Sequence, residues 1–179
     1  AEKEIQRHLA ELEALYENGL AVGQLLEPRE IGERIISTFN RHLSWHHVTI
    51  RLLKSDSDEL ELVAYSLPDL KEAERQKVEQ NFIKQISKVG QGMSGWSIQT
   101  GKSIRTGNVR EYPQYVEVYK GIRSGLYMPL TLGKFVIGVI SVESEEPDAF
   151  SAQDERLLAT LANQAAVAFE NARLYQSIQ

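Results

Sequence analysis

The sequence predicts an α+β fold, a central antiparallel sheet with its helices gathered on one side. Three observations carry this reading. Residues 2–26 and 152–175 repeat apolar side chains at helical spacing. The strand-like runs between them are mostly joined by short turns, as consecutive antiparallel strands are. Residues 125–144, GLYMPLTLGKFVIGVISVES, read as one hairpin that is apolar on both faces, so both faces need a cover.

Each element has its own signal. The first helix carries Ile5, Leu9, Leu12, Tyr16 and Gly19 at alternating steps of four and three, a two-heptad seam. Pro28 follows at a first-turn position, and Ile31, Ile35, Ile36 and Phe39 keep helical spacing as far as His42. VTIRLLK (48–54) and LELVAYS (60–66) are strands about the polar turn Ser55-Asp56-Ser57-Asp58. Residues 70–89 form a charged amphipathic helix with Val78, Phe82, Ile86 and Val89 as its stripe. GQGMSGW (90–96) is expected to form tight turns. A dinucleotide fingerprint would need a strand before it and a helix after it, and the predicted order supplies neither. Ser103–Thr106 is a short strand, and YPQYVEVYK (112–120) is an aromatic connection.

The hairpin turns at Gly133-Lys134, where glycine at the first central position specifies type II′. Pro129 and Gly138 break strand rules. Pro129 is expected at a bulge or toward the loop layer, and Gly138 where another group approaches closely. The last helix opens at Ser151, with Asp154 where a capping-box acid sits. Leu158, Leu161, Ala165, Ala168, Phe169, Ala172 and Tyr175 form its long stripe.

Composition narrows the function classes. Of 179 residues, 42% are hydrophobic and 25% charged, enough for one core-forming domain. A net charge of −5 with interspersed signs argues against nucleic acid and against a basic membrane-binding face. No window reaches the roughly 18 apolar residues of a membrane span, and AEKEIQRHLAELEALYENG is too polar for a signal peptide. No cysteine is present, which excludes disulfides, thiolate nucleophiles and thioether-bound chromophores, and fits a cytoplasmic setting. The chain starts without Met and stops in a helical pattern, so a longer protein with an output domain past Gln179 is expected. His46 and His47, adjacent on a strand, point to opposite faces and do not chelate one metal. His8 and His42 fall on helical surfaces. No Ser/His/Asp set or carboxylate pair converges by spacing, so no catalytic residue and no metal site is expected.

Several motifs occur together in a telling order. They are Gly90-x-Gly92-Met93-x-Gly95, Thr100-Gly101-x-Ser103-Ile104, Gly121-Ile122-Arg123-Ser124-x-Leu126-x-x-Pro129-Leu130, Gly138-Val139-Ile140, Pro147-x-x-Phe150-Ser151-x-x-Asp154 and the run from Leu157 to Tyr175. Over roughly residues 28–175 this order and spacing resembles the GAF domain family. The resemblance implies a PAS-related α+β fold, with the terminal helices on one face of the sheet and loops and short helices over a ligand cavity on the other. It also implies a sensory or regulatory module of a bacterial-type signalling protein, of the kind found beside histidine kinase and other output domains. The expected organisation is a signalling or dimerisation helix over 1–27, the GAF-like domain over 28–175 and the start of a linker helix over 176–179.

By that resemblance Trp96, Tyr112, Tyr115, Tyr119, Arg123 and Ser124 face the cavity. Aromatic rings with one polar tip suit a planar or mixed ligand, and Arg123 suits a carboxylate or phosphate. Family members that attach bilins use cysteine, and the methionine-sulfoxide reductases of this fold require it too. Covalent bilin is therefore excluded, the cofactor is left unknown, and a non-enzymatic domain is expected. The Asn-Lys-Phe-Asp-Glu set of cyclic-nucleotide-binding members has no counterpart here; Asn81-Phe82 and Lys134-Phe135 are fragments of it in the wrong order. Haem, non-covalent bilin and cyclic nucleotides stand as lesser alternatives. The main expectation is a domain that binds a small molecule or passes a signal through a homodimeric, coiled-coil-like helical bundle. The alternative is a ligand-free dimerisation scaffold. The expected dimer interface is Ile5, Leu9, Leu12 and Tyr16 from the first helix with Leu161, Ala165, Ala168, Ala172 and Tyr175 from the last, whose small side chains permit close helix approach.

Overall fold

The computed structural model describes residues 2–22, 27–68 and 70–178. Among these, five α-helices, α1 (Glu2–Val22), α2 (Pro28–Thr38), α3 (Glu72–Gln85), α4 (Gly92–Thr100) and α5 (Ala152–Ile178), accompany five strands. The strands are β1 (His47–Leu53), β2 (Leu60–Ser66), β3 (Ile104–Thr106), β4 (Ser124–Leu132) and β5 (Phe135–Ser144). The sheet order is β2-β1-β5-β4-β3, and every neighbouring pair is antiparallel. The expected α+β class is what the chain adopts. The part of the predicted first helix at 23–26 lies outside the described residues.

One face of the sheet carries α1, α2 and α5, with a π-helical turn over Phe39–Leu43. The main core lies there. Val48 and Ile50 of β1, Leu126, Met128 and Leu130 of β4, and Ile140 and Val142 of β5 meet Ile31, Ile35, Phe39, Leu158, Leu161 and Phe169. Each such side chain contributes about 1.5–3 kcal/mol by leaving water. The opposite face holds smaller clusters under α3, α4 and the 107–123 connection.

The hairpin explains its own double greasiness. Of its two turn residues only Gly133 has positive φ, +59°, which fits the type II′ turn. Register shifts between Leu130 and Thr131, so that Leu130 faces Gly138 but Thr131 faces Val136. The extra residue of this bulge lies on β5, and it flips the face of that strand's residues beyond it, while Leu132 of β4 keeps the face of Leu130. Ile137 joins the helix-side core, while Val136 packs with Ile98 and Val139 on the other side. Pro129 lies beside the bulge, past the end of β3, which covers only Gly125 to Tyr127 of β4. Gly138 admits the β1 backbone: a Cβ there would collide with the Arg51 carbonyl oxygen.

Three local expectations need correction. GQGMSGW does not form turns alone: α4 starts at Gly92 inside it. Glycine is needed within that helix because a Cβ on Gly95 would sit 2.8 Å from the Lys88 carbonyl oxygen and 2.9 Å from the Gly90 nitrogen. The helix predicted over 70–89 is α3, Glu72–Gln85, and its end gives way to an isolated bridge between Lys88 and Glu59. His42 is not on an outer surface. It is half-buried, with Nε2 2.9 Å from Glu17 Oε1 and Nδ1 3.0 Å from Glu13 Oε2, and it fastens α1 to the π turn.

α5 opens with reciprocal capping, Asp154 N–H to Ser151 Oγ at 3.1 Å and Ser151 N–H to Asp154 Oδ2 at 2.9 Å. α1 and α5 run in the same direction. Arg7 pairs with Asp154, and Gln153 donates to Glu11, at the start of α5; Glu27, just past α1, meets Gln176 near its end. β4, α1 and α2 pack against α5 and bury Leu161, Ala165, Ala168 and Ala172 to 3% exposure or less. Those four are core residues of one chain and do not face a second copy. Ile5, Leu9, Leu12 and Tyr16 are 50–69% exposed, and Tyr175 is 43% exposed. Among the described residues no helix is long and apolar enough to cross a membrane.

Candidate functional site

Strand alternation sends every second side chain of β1, β4 and β5 away from the helix layer. Several of those side chains are unexpectedly polar. Thr49, Ser141 and Tyr127 stand in register across three adjacent strands, with Arg51 two residues beyond Thr49 and Glu143 two beyond Ser141. They floor a small, partly enclosed cavity. Its roof comes from Phe82 of α3, Ile86 just past it, Met93 and Ser94 of α4, and Tyr115, Val116, Val118 and Tyr119 of the connection. The space open to the centre of a water is about 20 Å³, room for about one or two waters.

Arg51 is 2% exposed. Its Nη1 donates to Thr49 Oγ1 at 3.0 Å, its Nη2 to the Phe82 carbonyl at 3.5 Å, and its guanidinium lies 5.7 Å over the Phe82 ring. Its Nε has no partner among the described residues. Burial brings Arg51 down to about 10, opposed by the field of Glu143, so it stays charged at neutral pH. Tyr127 donates to Glu143 Oε2 at 2.5 Å. Burial pushes the Glu143 carboxyl above the ordinary range, against the Tyr127 hydrogen bond and the Arg51 charge. Burial likewise raises the phenols of Tyr127 and Tyr115, which both remain protonated donors. The Ser94 and Ser141 hydroxyls meet at 2.5 Å and tie the α4 roof to the sheet. At the end of the floor His47 lies 5.2 Å from the Tyr119 ring, its Nδ1 without a partner among the described residues, and burial holds its imidazole below the usual value. His46, one residue before, is exposed.

Of the side chains the sequence placed at the cavity, Tyr115 and Tyr119 line it. Trp96 and Tyr112 pack on each other with ring centroids 6.0 Å apart and join the apolar cluster of Met93, Ile104 and Tyr127 behind the wall. Arg123 and Ser124 are elsewhere. Arg123 is exposed, and its backbone holds the strand end by bonding to Ser144 and Val109. Ser124 shares the helix-side parity of Leu126 and Met128, and its hydroxyl donates to the Glu146 carbonyl at 2.6 Å. Sequence reasoning missed Thr49, Arg51, Tyr127, Ser141 and Glu143. A signal existed: polar residues recur at spacing two within otherwise apolar strands, Thr49-x-Arg51 and Ser141-x-Glu143.

A family model described as the GAF domain matches residues 26–170. No curated protein matches the chain. Solved structures share the fold. A free methionine-R-sulfoxide reductase from Neisseria meningitidis, in complex with its substrate, is 22% identical with TM-score 0.76, over 92% of this chain and 91% of that one. The GAF domain of a phosphoenolpyruvate-protein phosphotransferase from Acinetobacter is 17% identical with TM-score 0.74, over 93% and 97%. Its counterpart from Coxiella burnetii is 15% identical with TM-score 0.75, over 94% and 98%. The first of these corrects the expectation of a non-enzymatic domain: the fold carries catalysis in some proteins and regulation in others, and likeness of fold does not separate them. The match over most of the sequence, on a five-stranded antiparallel sheet with helices on one face and a roofed cavity on the other, establishes that this chain belongs to the GAF domain family.

Proposed function

We propose that the chain is a sensory module in which a small molecule, held between the sheet and its roof, biases the helix layer on the other face. The observation that carries this reading is the alternation along β5. Ser141 and Glu143 face the cavity, while Ile140 and Val142, their immediate neighbours, pack in the core with α5. A shift of that strand is felt on both sides, because a close-packed core does not absorb displacement. The ligand acts by binding one helix arrangement more tightly than the other, and a coupling of about 1–3 kcal/mol is ordinary.

The output in this reading is a parallel homodimer seated on Ile5, Leu9, Leu12 and Tyr16, with helices leading to an output domain in the same longer chain. The exposed heptad stripe on α1 supports it. Native mass spectrometry of freshly purified protein, followed by denaturing mass spectrometry, tests both parts. A dimer that releases a small molecule on denaturation is the expected result, and a monomer with no retained molecule overturns it.

A ligand-free dimerisation scaffold is the second reading. The cavity of about 20 Å³ favours it, since nothing larger than a water or two fits without movement of the roof. Dimers that stay empty in the same experiment are its signature.

A further inference from the structure

We propose that the cavity takes a small zwitterion of the amino-acid class, its anionic group on Arg51 and its ammonium on Glu143; this rests on reading the cavity as a ligand site.

The argument starts from unmet demand. A guanidinium has five N–H donors and needs acceptors for them. Arg51 is buried, yet among the described residues only two protein acceptors reach it, one at the long distance of 3.5 Å, and its Nε has none. Burying a charge so poorly satisfied is unfavourable unless a partner of opposite sign arrives. A planar carboxylate offers two oxygens to such a fork. Glu143 stands on the same floor with the reverse demand. Its carboxyl receives a hydrogen bond from Tyr127, and an ionised carboxylate accepts several more. An ammonium supplies up to three donors.

The two charges do not neutralise each other directly. They attract across the cavity, but no ion pair joins them among the described residues. Arg51 faces Val139 in the β1–β5 register, four residues along β5 from Glu143, so the floor has a cationic end and an anionic end. Thr49, Tyr127 and Ser141 lie between and supply neutral hydroxyls. A molecule with one charge leaves the other pole unpaired, while a neutral molecule leaves both. Admission requires the roof to lift. The 112–120 connection that carries Tyr115 and Tyr119 contains turns and bends and no helix or strand.

Calorimetric titration of the 179-residue chain tests this. The probes are L-alanine, L-methionine and γ-aminobutyrate, each compared with single-charge controls: propionate, butyrate and propylamine. At least one zwitterion is expected to bind ten-fold or more tighter than every control. Glu143→Gln should reduce that preference over the carboxylates to less than three-fold. Arg51→Met should abolish binding and leave the melting temperature equal or higher, because an apolar side chain replaces a charge with no full set of partners. If Arg51→Met does not fold, Arg51→Lys, which keeps the charge and loses the fork, should weaken binding at least ten-fold with the fold intact. Controls that bind as tightly as the zwitterions overturn the proposal, as does the absence of binding by any zwitterion. An anionic or neutral molecule released in mass spectrometry, with no zwitterion bound, sinks the proposal while the cavity remains a ligand site. Loss of both results removes the site as well.

Discussion

Glu143 sits where two demands conflict. Tyr127 and Arg51 favour its ionised form, and burial, the larger effect, favours the neutral one. The folded carboxyl therefore holds its proton more tightly than the unfolded chain does. Its contribution to stability is complete below the ordinary carboxylate value of 4.5 and is lost as pH rises from there through the raised value. Glu143→Gln removes this loss. The difference in melting temperature between variant and parent should move in the variant's favour as pH rises from 4 to 7, in thermal scans at fixed ionic strength. His47 has the opposite sign. Burial lowers its folded value, so its cost appears as pH falls below the ordinary 6.5, where the unfolded chain takes up the proton first. His47→Gln should flatten the decline in melting temperature between pH 7 and 5.

Elements differ in how much of them can be read from residues alone. The β4–β5 hairpin, the Ser151 cap and the start of α2 at Pro28 are legible because each rests on a local rule: a type II′ glycine, a reciprocal hydrogen bond, a missing N–H. α4 is not legible, because its glycines answer to tertiary crowding by Lys88 and Gly90 rather than to local preference. The alanines of α5 read equally well as an intermolecular or an intramolecular face, and packing within the chain decided the matter. At the site, the roof tyrosines were visible as aromatics in a connection. Arg51 and Glu143 were not, because a charged residue in a strand ordinarily marks a solvent face and only the three-dimensional roof turns that face inward.

Two substitutions check the element scale. Gly138→Ala drives a methyl into the Arg51 backbone and should cost about 1–3 kcal/mol in denaturant unfolding, while Phe135→Ser, at the 76%-exposed hairpin tip, should cost less than about 0.5 kcal/mol. Leu9→Glu with Leu12→Glu places charges on the exposed α1 stripe. Light scattering should report monomers, with the melting temperature of the fold little changed at low protein concentration.

At the scale of the whole molecule the cavity and the α1 stripe are separable. The sheet lies between them, so in the proposed dimeric sensor Tyr115→Ala should weaken the small molecule and leave dimers intact. The double substitution Leu9→Glu with Leu12→Glu, on the exposed stripe, should do the reverse, dissolving the proposed dimer while the floor of the cavity survives. Binding and light scattering measured on both variants check the pair, and loss of both properties together in either variant contradicts the separation.

The shared direction of α1 and α5 has a geometric consequence. α5 alone has 27 residues, about 40 Å of rod. A neighbour fused ahead of Glu2 and another fused behind Ile178 would stand at opposite poles, like beads threaded on one axle. Modules joined this way would stack in file along one axis, without the polypeptide doubling back.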